Sequence, residues 1–373
     1  MKKHYFLGLA ANYPRDERVT HTFKIGHNED LKDLERYLLR RYGGEKAFLT
    51  KNGRSALALA LKAYFDKDDK ILINGFTCYA VYEAVKAANL TPVFVDISLT
   101  DLNFTEETLG AAYANTAQND KIKGIIIQNT LGNPVDIVKI EKFAKEHNLI
   151  IIEDLAHCAG VKYADGREAG TVGTAAALSF GKDKSIDTIS GGAVVLRHPH
   201  KNPIEAPRHR PKLSDHLRAR LYPTFGAICR ALSYVHLSGT VMRLLVKIHW
   251  VEKSADSKLD LTRRPSKFEA KLALMQIKGL SRIGEKPLRK FSFVKERKQV
   301  LAELAKAGYY FGGFWYEKPV SPERYYKKVR FPEDTCKNAV YASEHIVNIP
   351  RYYKRKDLAP AYKIIDSYIE EKA

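Results

Sequence analysis

The sequence predicts an α/β protein built on a mostly parallel central sheet covered by helices, with a smaller α+β unit at its C-terminal end. Two observations carry the prediction. From about residue 44 to 196, strand-like and helix-like runs alternate, and the strands are continuous apolar, β-branched runs of the kind that are buried on both faces. From Lys286 onward the rhythm is lost, and helical stretches mix with a tyrosine-rich segment around Tyr309, Tyr310, Trp315 and Tyr316.

The elements follow in order. Lys46 to Thr50 reads as a strand, and Asn52-Gly53-Arg54-Ser55 as a turn opening a helix through Ala56 to Leu61. Lys70 to Ile73 is a strand and Tyr79 to Ala88 a helix. Pro92 to Ile97 and Gly124 to Gln128 are two further strands. Ile137 to His147 has the apolar spacing of an amphipathic helix and leads into the strand beginning at Ile150. Ala176 to Phe180 and Gly191 to Leu196 complete the set, and Lys267 to Leu280 is a later helix. The expected division is 1–198 for the large unit, 199–265 for a basic, apolar-rich helical insertion, and 266–373 for a small domain with its linking helix.

At 373 residues there is ample apolar content for such a core. Cys78, Cys158, Cys229 and Cys336 are scattered, with no CxxC and no Cys/His cluster, which argues against structural zinc or a disulfide framework. No metal is expected. The net charge of +19 comes without a nucleic-acid-binding signature, so nucleic acid is not expected as a partner. Phosphorylated small molecules and anionic lipid heads suit a basic surface equally well. The start, Met1 to Ala11, has only a short apolar core. Pro14-Arg15-Asp16-Glu17-Arg18 follows without a cleavage site, so a cytoplasmic setting is expected.

The chemistry is concentrated in two places. Ile150 to Ile152 is an apolar run ending in Glu153-Asp154, with His157 close behind; Ser179-Phe180 is followed by Lys182 and Lys184. A carboxylate at the end of one strand and a lysine just past the next is the arrangement that pyridoxal phosphate (PLP) chemistry needs. The lysine holds the cofactor covalently, and the acid pairs with the pyridine nitrogen so that the ring can accept electrons. The Asn52-Gly53 turn suits a phosphate at a helix N-terminus, although Asn-Gly-x-Ser is also an ordinary helix cap.

The order of these motifs resembles the DegT/DnrJ/EryC1/StrS sugar aminotransferases, fold-type I PLP enzymes. The resemblance runs from Asn52-Gly53-x-Ser55 through Phe76-Thr77, Pro92 to Ile97, Gly132 to Asp136, Glu153-Asp154-x-Ala156-His157 and Ser179-Phe180 with Lys184, to Gly191-Gly192-Ala193-Val194. It resumes more loosely at Ser266 to Leu280 and Phe331 to Pro350.

The resemblance implies that Lys184 carries the cofactor and shuttles a proton, with Lys182 as its rival. Asp154 would hold the pyridine nitrogen protonated, and His157 would lie beside the ring. Gly53 and Arg54 would offer backbone N–H groups, and Ser179 a hydroxyl, to the phosphate. Either Cys78 or Tyr79 would cover the ring. The implied reaction moves an amino group from an amino acid such as glutamate to a keto-sugar, typically nucleotide-linked, in a homodimer. A sugar dehydratase, which lacks the lysine, is disfavoured by Lys184. The alternatives are another PLP-dependent reaction on the same scaffold, or a degenerate membrane-associated assembly or regulatory protein.

This chain departs from the pattern at Cys78, at Ile189-Ser190, at Asn129 and Leu131 where the family has His and Tyr, and at Thr262 in place of a phosphate-binding Asn. Cys158 reads as core rather than nucleophile. Residues 199–251 have no counterpart of this length in a typical member. About nine Lys/Arg stand there against Glu205 and Asp215, beside Phe225, Leu232, Leu237, Val241, Leu244, Leu245 and Trp250. The uncharged stretches are too short to span a bilayer. The segment is expected either to be a helical excursion packed on the rest of the protein, or a basic amphipathic element in peripheral contact with the anionic inner face of a membrane.

Overall fold

The computed structural model describes residues 5–6, 21–182, 184–197, 199–235, 237–251, 256–277, 279–280, 289–310, 316–350 and 355–369. Apart from Tyr5 and Phe6, the N-terminal stretch read for targeting lies outside these residues, as do Lys286 and Trp315.

Thirteen strands are described, numbered here in chain order, and seven of them form the central sheet. From one edge to the other, the sheet runs β2 (Lys46–Thr50), β9 (Gly192–Leu196), β8 (Ala175–Ser179), β7 (Ile150–Asp154), β6 (Ile122–Ile127), β3 (Lys70–Asn74) and β5 (Thr91–Val95). Neighbours from β8 to β5 are parallel, whereas β9 is antiparallel to both β8 and β2. The continuous apolar runs are explained by helices on both faces. Ile125, Ile127, Ile151, Leu178 and Val195 pack with the helices α1 (Asn28–Tyr42) and α5 (Ile137–Glu146). Ile126, Ile152, Ala177 and Val194 pack on the other side with α2 (Gly53–Tyr64) and α3 (Tyr79–Ala87). Each such isoleucine contributes about 1.5–3 kcal/mol by burial. The period-two alternation therefore sends Ile151 and Glu153 to one face and Ile152 and Asp154 to the other.

The connections place the C-terminal ends of β3, β6, β7 and β8 at one edge of the sheet, where open α/β sheets bind their ligands. Helix α8 (Lys267–Ile277), read as the linking helix, contributes Ala270, Ala273 and Ile277 to the same core as α1.

Farther along, β10 (Arg289–Phe293) pairs antiparallel with β13 (Ile346–Pro350). Val294, Val300, Leu304, Val347, Ile349 and Leu358 form a separate small core there. Several ties join it to the large unit, among them an apolar cluster in which Ile346 meets Phe76, Ile97 and Leu131. The strand β12 (Val320–Ser321) pairs with β4 (Thr77–Cys78), and Asp96 caps helix Lys337–His345 by accepting from the N–H groups of Asn338 and Ala339 at 3.1 and 3.0 Å.

Within 199–265 the chain forms a helical hairpin: α6 (Leu213–Leu232), a short 3₁₀ turn at Ser233–Val235, and α7 (Ser238–Lys247). The apolar segment is thus broken into two helices. Among the described residues, no helix is long and apolar enough to cross a membrane.

Candidate active site

Asn52 starts α2. Its Oδ1 accepts from Ser55 N–H at 3.0 Å, and its backbone carbonyl from Ala56 N–H at 3.1 Å. Among the described residues the Gly53 N–H has no acceptor, so one donor of the helix terminus stays available. Glycine is required here by space: a Cβ on Gly53 would lie 2.5 Å from Ser179 Cβ and 2.8 Å from Ser179 Oγ. The turn therefore sits directly on the end of β8, bringing the Gly53 N–H and the Ser179 hydroxyl together. Arg54 is buried, and its guanidinium pairs with Glu83 on α3.

At the end of β7, Asp154 is 8% exposed. Its Oδ1 accepts from Ala156 N–H at 3.0 Å; among the described residues Oδ2 accepts no hydrogen bond. Burial raises its carboxyl above the ordinary range, while the Ala156 N–H and the Lys184 charge pull the other way. Lys184 is thus within electrostatic reach of Asp154, as the sequence spacing requires. Lys182 takes another direction: its ammonium lies 4.3 Å from the centroid of the Tyr222 ring on α6.

His157 is buried in the loop after β7, and its Nδ1 accepts from Leu131 N–H at 3.1 Å. A backbone N–H can only donate, so in the neutral ring the proton is on Nε2. Leu131 can donate because its loop takes an unusual path, with left-handed φ of 49° at Asn129 and 55° at Leu131. Asn129 holds that path. Its Oδ1 accepts from Val135 N–H at 2.9 Å and its Nδ2 donates to the Tyr163 hydroxyl at 3.1 Å. Asn74, Asn103, Gln128 and Thr130 extend this buried polar network beneath the loop.

Cys78 and Tyr79 stand at the start of α3. The Cys78 side chain is half-buried and its Sγ accepts from Ala80 N–H at 3.5 Å, as a weak cap. The Tyr79 ring stacks on Tyr325 at 4.5 Å between centroids, and so is engaged by the small unit. Thr262 is exposed and turns its hydroxyl to Asp260 at 2.8 Å. Cys158 is fully buried, and burial pushes its thiol well above the usual range, which suits a core residue. Among the described residues no cluster of side chains suits a metal ion.

Sequence reasoning missed three features. Glu153, buried on the opposite face from Asp154, accepts from the Tyr163 hydroxyl and from the N–H groups of Gly170, Val172 and Gly173, and pairs with Arg197 at 3.2 Å. Glu269, buried on α8, accepts from the Ser190 hydroxyl and from Ser266 N–H. Lys182 is engaged by Tyr222. The first was accessible from strand parity; the second from the capping pattern Ser266-x-x-Glu269. Nothing in the sequence announced the third.

Comparison with known proteins places the chain in a family. Residues 17–206 match the sequence signature of the DegT/DnrJ/EryC1/StrS aminotransferase family. A pleiotropic regulatory protein of Geobacillus stearothermophilus is 33% identical over 146 residues, 39% of this chain and 38% of that protein. The GDP-perosamine synthase of Escherichia coli O157:H7 is 35% identical over 147 residues, again 39% of this chain and 38% of that protein. The matched stretch thus spans about two fifths of these curated relatives. Gly53, Asp154 and Lys184 lie within the bounds of the family signature. The crystal structure of a DegT DnrJ EryC1 StrS aminotransferase from Brucella abortus superimposes with a TM-score of 0.67 at 19% identity, covering 95% of this chain and 96% of that one. The likeness extends over nearly the whole chain, small unit included, and is the fold-type I arrangement. With half the chain matching its signature, the protein belongs to the DegT/DnrJ/EryC1/StrS aminotransferase family.

Proposed function

We propose that this chain is a PLP-dependent aminotransferase that moves an amino group from an amino acid, with glutamate the expected donor, to a nucleotide-linked keto-sugar, and that it works as a homodimer. The observation that carries the reading is the buried Asp154 carboxylate with an uncommitted Oδ2, facing the Lys184 charge at the ends of two adjacent parallel strands. The surroundings fit the cofactor: the carboxylate would be kept ionised by a cationic ring nitrogen, and the space that a Cβ on Gly53 would fill is bordered by Ser179 Oγ, as a phosphate cradle requires.

Bound there, pyridoxal phosphate supplies an electron sink for the donor's Cα–H bond and carries the amino group between the two substrates. The chain's own residues supply the rest. Asp154 would hold a proton at the pyridine nitrogen. Gly53 N–H and Ser179 Oγ would bind phosphate oxygens, with Arg54 contributing from the same helix turn. His157 would present its Nε2–H beside the ring. Lys184 would hold the cofactor covalently and, once displaced, its neutral amine would take the proton from the donor's Cα. Cys78, half-buried at the start of α3, is better placed than the stacked Tyr79 to cover the ring.

Purified protein should be yellow with PLP, and borohydride should fix the cofactor at Lys184. Lys184→Ala should lose both the fixed adduct and amino transfer to keto-sugars. An adduct that survives in Lys184→Ala overturns the assignment. A strict monomer with full activity by light scattering overturns the dimer.

One observation favours a second property, peripheral contact with an anionic membrane. On α7 and at its C-terminal cap the exposed positions bring Arg243 and Lys247 beside Leu244 and Ile248, and Leu213 and Leu217 lie exposed at the start of α6. Each basic side chain near an anionic surface contributes about 1 kcal/mol, screened by salt. Flotation with anionic liposomes should show binding at low salt that is lost at high salt. No binding at low salt leaves the hairpin as a packed excursion.

A further inference from the structure

The inner face of the inserted helix lies across both halves of the candidate site. Asp215, Ala219 and Tyr222 recur at helical spacing on α6 and therefore share one face. Asp215 approaches Lys51 at 3.8 Å, beside the Asn52-Gly53 turn. Ala219 and Tyr222 form an apolar cluster with Val251 and with Ile189, from the loop that carries Lys184. Ile189 holds a φ of 77°, a conformation that a β-branched residue keeps only where its surroundings enforce it. The Tyr222 ring also faces the Lys182 ammonium at 4.3 Å.

This loop presents a chemical problem. Lys182 and Lys184 are two primary amines two residues apart, and either can condense with an aldehyde, losing water as the carbon–nitrogen bond forms. Attack requires a neutral amine within reach. An ammonium held over an aromatic face is stabilised in its charged form and kept at a distance.

We infer that Tyr222 is a positioning residue: its ring holds Lys182 away from the site, so that Lys184 alone meets the cofactor's aldehyde, and α6 braces the loop carrying both lysines. The inference rests on the reading of Lys184 as the attachment point. It assigns the hairpin's inner face a role in the site that is independent of whatever its outer face contacts.

The test uses the full chain loaded with PLP, reduced with borohydride, digested and mapped by mass spectrometry. The unaltered protein should carry the adduct on Lys184 alone, and Tyr222→Phe, which keeps an aromatic face, should do the same. Tyr222→Leu should place a measurable share on Lys182. In cofactor-free protein, acetylation of Lys182 by an amine-reactive label should be slower than that of the exposed Lys67, and should rise about five-fold in Tyr222→Leu. An adduct confined to Lys184 in Tyr222→Leu, with Lys182 labelling unchanged, overturns the inference alone. Should Tyr222→Leu fail to fold, the unaltered protein still decides: Lys182 labelled as fast as Lys67 overturns it. An adduct on Lys182 in the unaltered protein overturns instead the Lys184 reading beneath it.

Discussion

Glu153 and Asp154 are adjacent in the chain, both buried, and lie on opposite faces of the same strand. On one side, both Glu153 oxygens are occupied by three backbone N–H groups, a tyrosine hydroxyl and Arg197. On the other, Asp154 has one N–H at Oδ1 and nothing at Oδ2 among the described residues. A buried carboxylate that is fully paired fixes the loops around it, whereas one left partly unpaired bears a desolvation cost that an incoming cation can relieve. The first pocket is closed by the fold, and under the proposed function the second is open to the cofactor. Their difference is in partners rather than in residue chemistry or depth.

The largest expected effects separate the two directly. Asp154→Asn should lower amino transfer by roughly 10³-fold, since a neutral amide cannot hold the ring nitrogen's proton, while thermal unfolding of the cofactor-free protein stays the same or improves. Glu153→Gln should do the reverse. It leaves Arg197 without its charge partner and should cost about 3–5 kcal/mol in denaturant unfolding, while the folded fraction still binds PLP. Equal stability losses in the two variants would erase the distinction.

A titration sharpens it. Burial raises the Asp154 carboxyl, so the folded cofactor-free protein takes up this proton more readily than the unfolded chain. The stability from this group is therefore greatest at low pH and declines as pH rises through the raised folded value. Cofactor binding carries the opposite sign, because the ring needs the ionised form. Below that value, PLP affinity should fall with acidification, approaching about tenfold per pH unit. Asp154→Asn should flatten this dependence. Affinity measured by fluorescence across the acid range that is unchanged by Asp154→Asn would place the controlling group elsewhere.

The smallest effect belongs to Cys78. Its Sγ is a weak cap at 3.5 Å, so Cys78→Ala should cost about 0.5–1 kcal/mol of stability and change PLP affinity by no more than about three-fold. A loss of affinity beyond tenfold in an equilibrium titration would make its cover of the ring a major binding contact rather than a light one.

The strand positions were legible because runs such as Ile150 to Ile152 and Gly192 to Leu196 have no polar side to expose, and only a sheet covered on both faces accommodates them. The Asn52-Gly53 cap was legible for a local reason, since the side chain and the helix it caps are within three residues. The hairpin was harder to read. Its sequence indicated a helical excursion without dividing it, and two helices form, with a turn at Ser233–Val235. Asn129 looked like a lost family residue, and nothing nearby in sequence indicated that it would hold the loop whose Leu131 N–H sets the proton on His157.

The sequence by itself determined the alternation of strands and helices, the order of Gly53, Asp154, Ser179 and Lys184 along it, and through that order the family. These are properties of periodicity and short-range spacing, which a linear chain carries in full. Tertiary structure alone decided which carboxylate is satisfied and which is open, which tautomer His157 adopts, and which lysine faces Asp154 while the other meets Tyr222. Each depends on partners brought from distant parts of the chain, Arg197 to Glu153, Leu131 to His157 and Tyr222 to Lys182, and a contact closed over tens of residues leaves no periodic trace in the sequence.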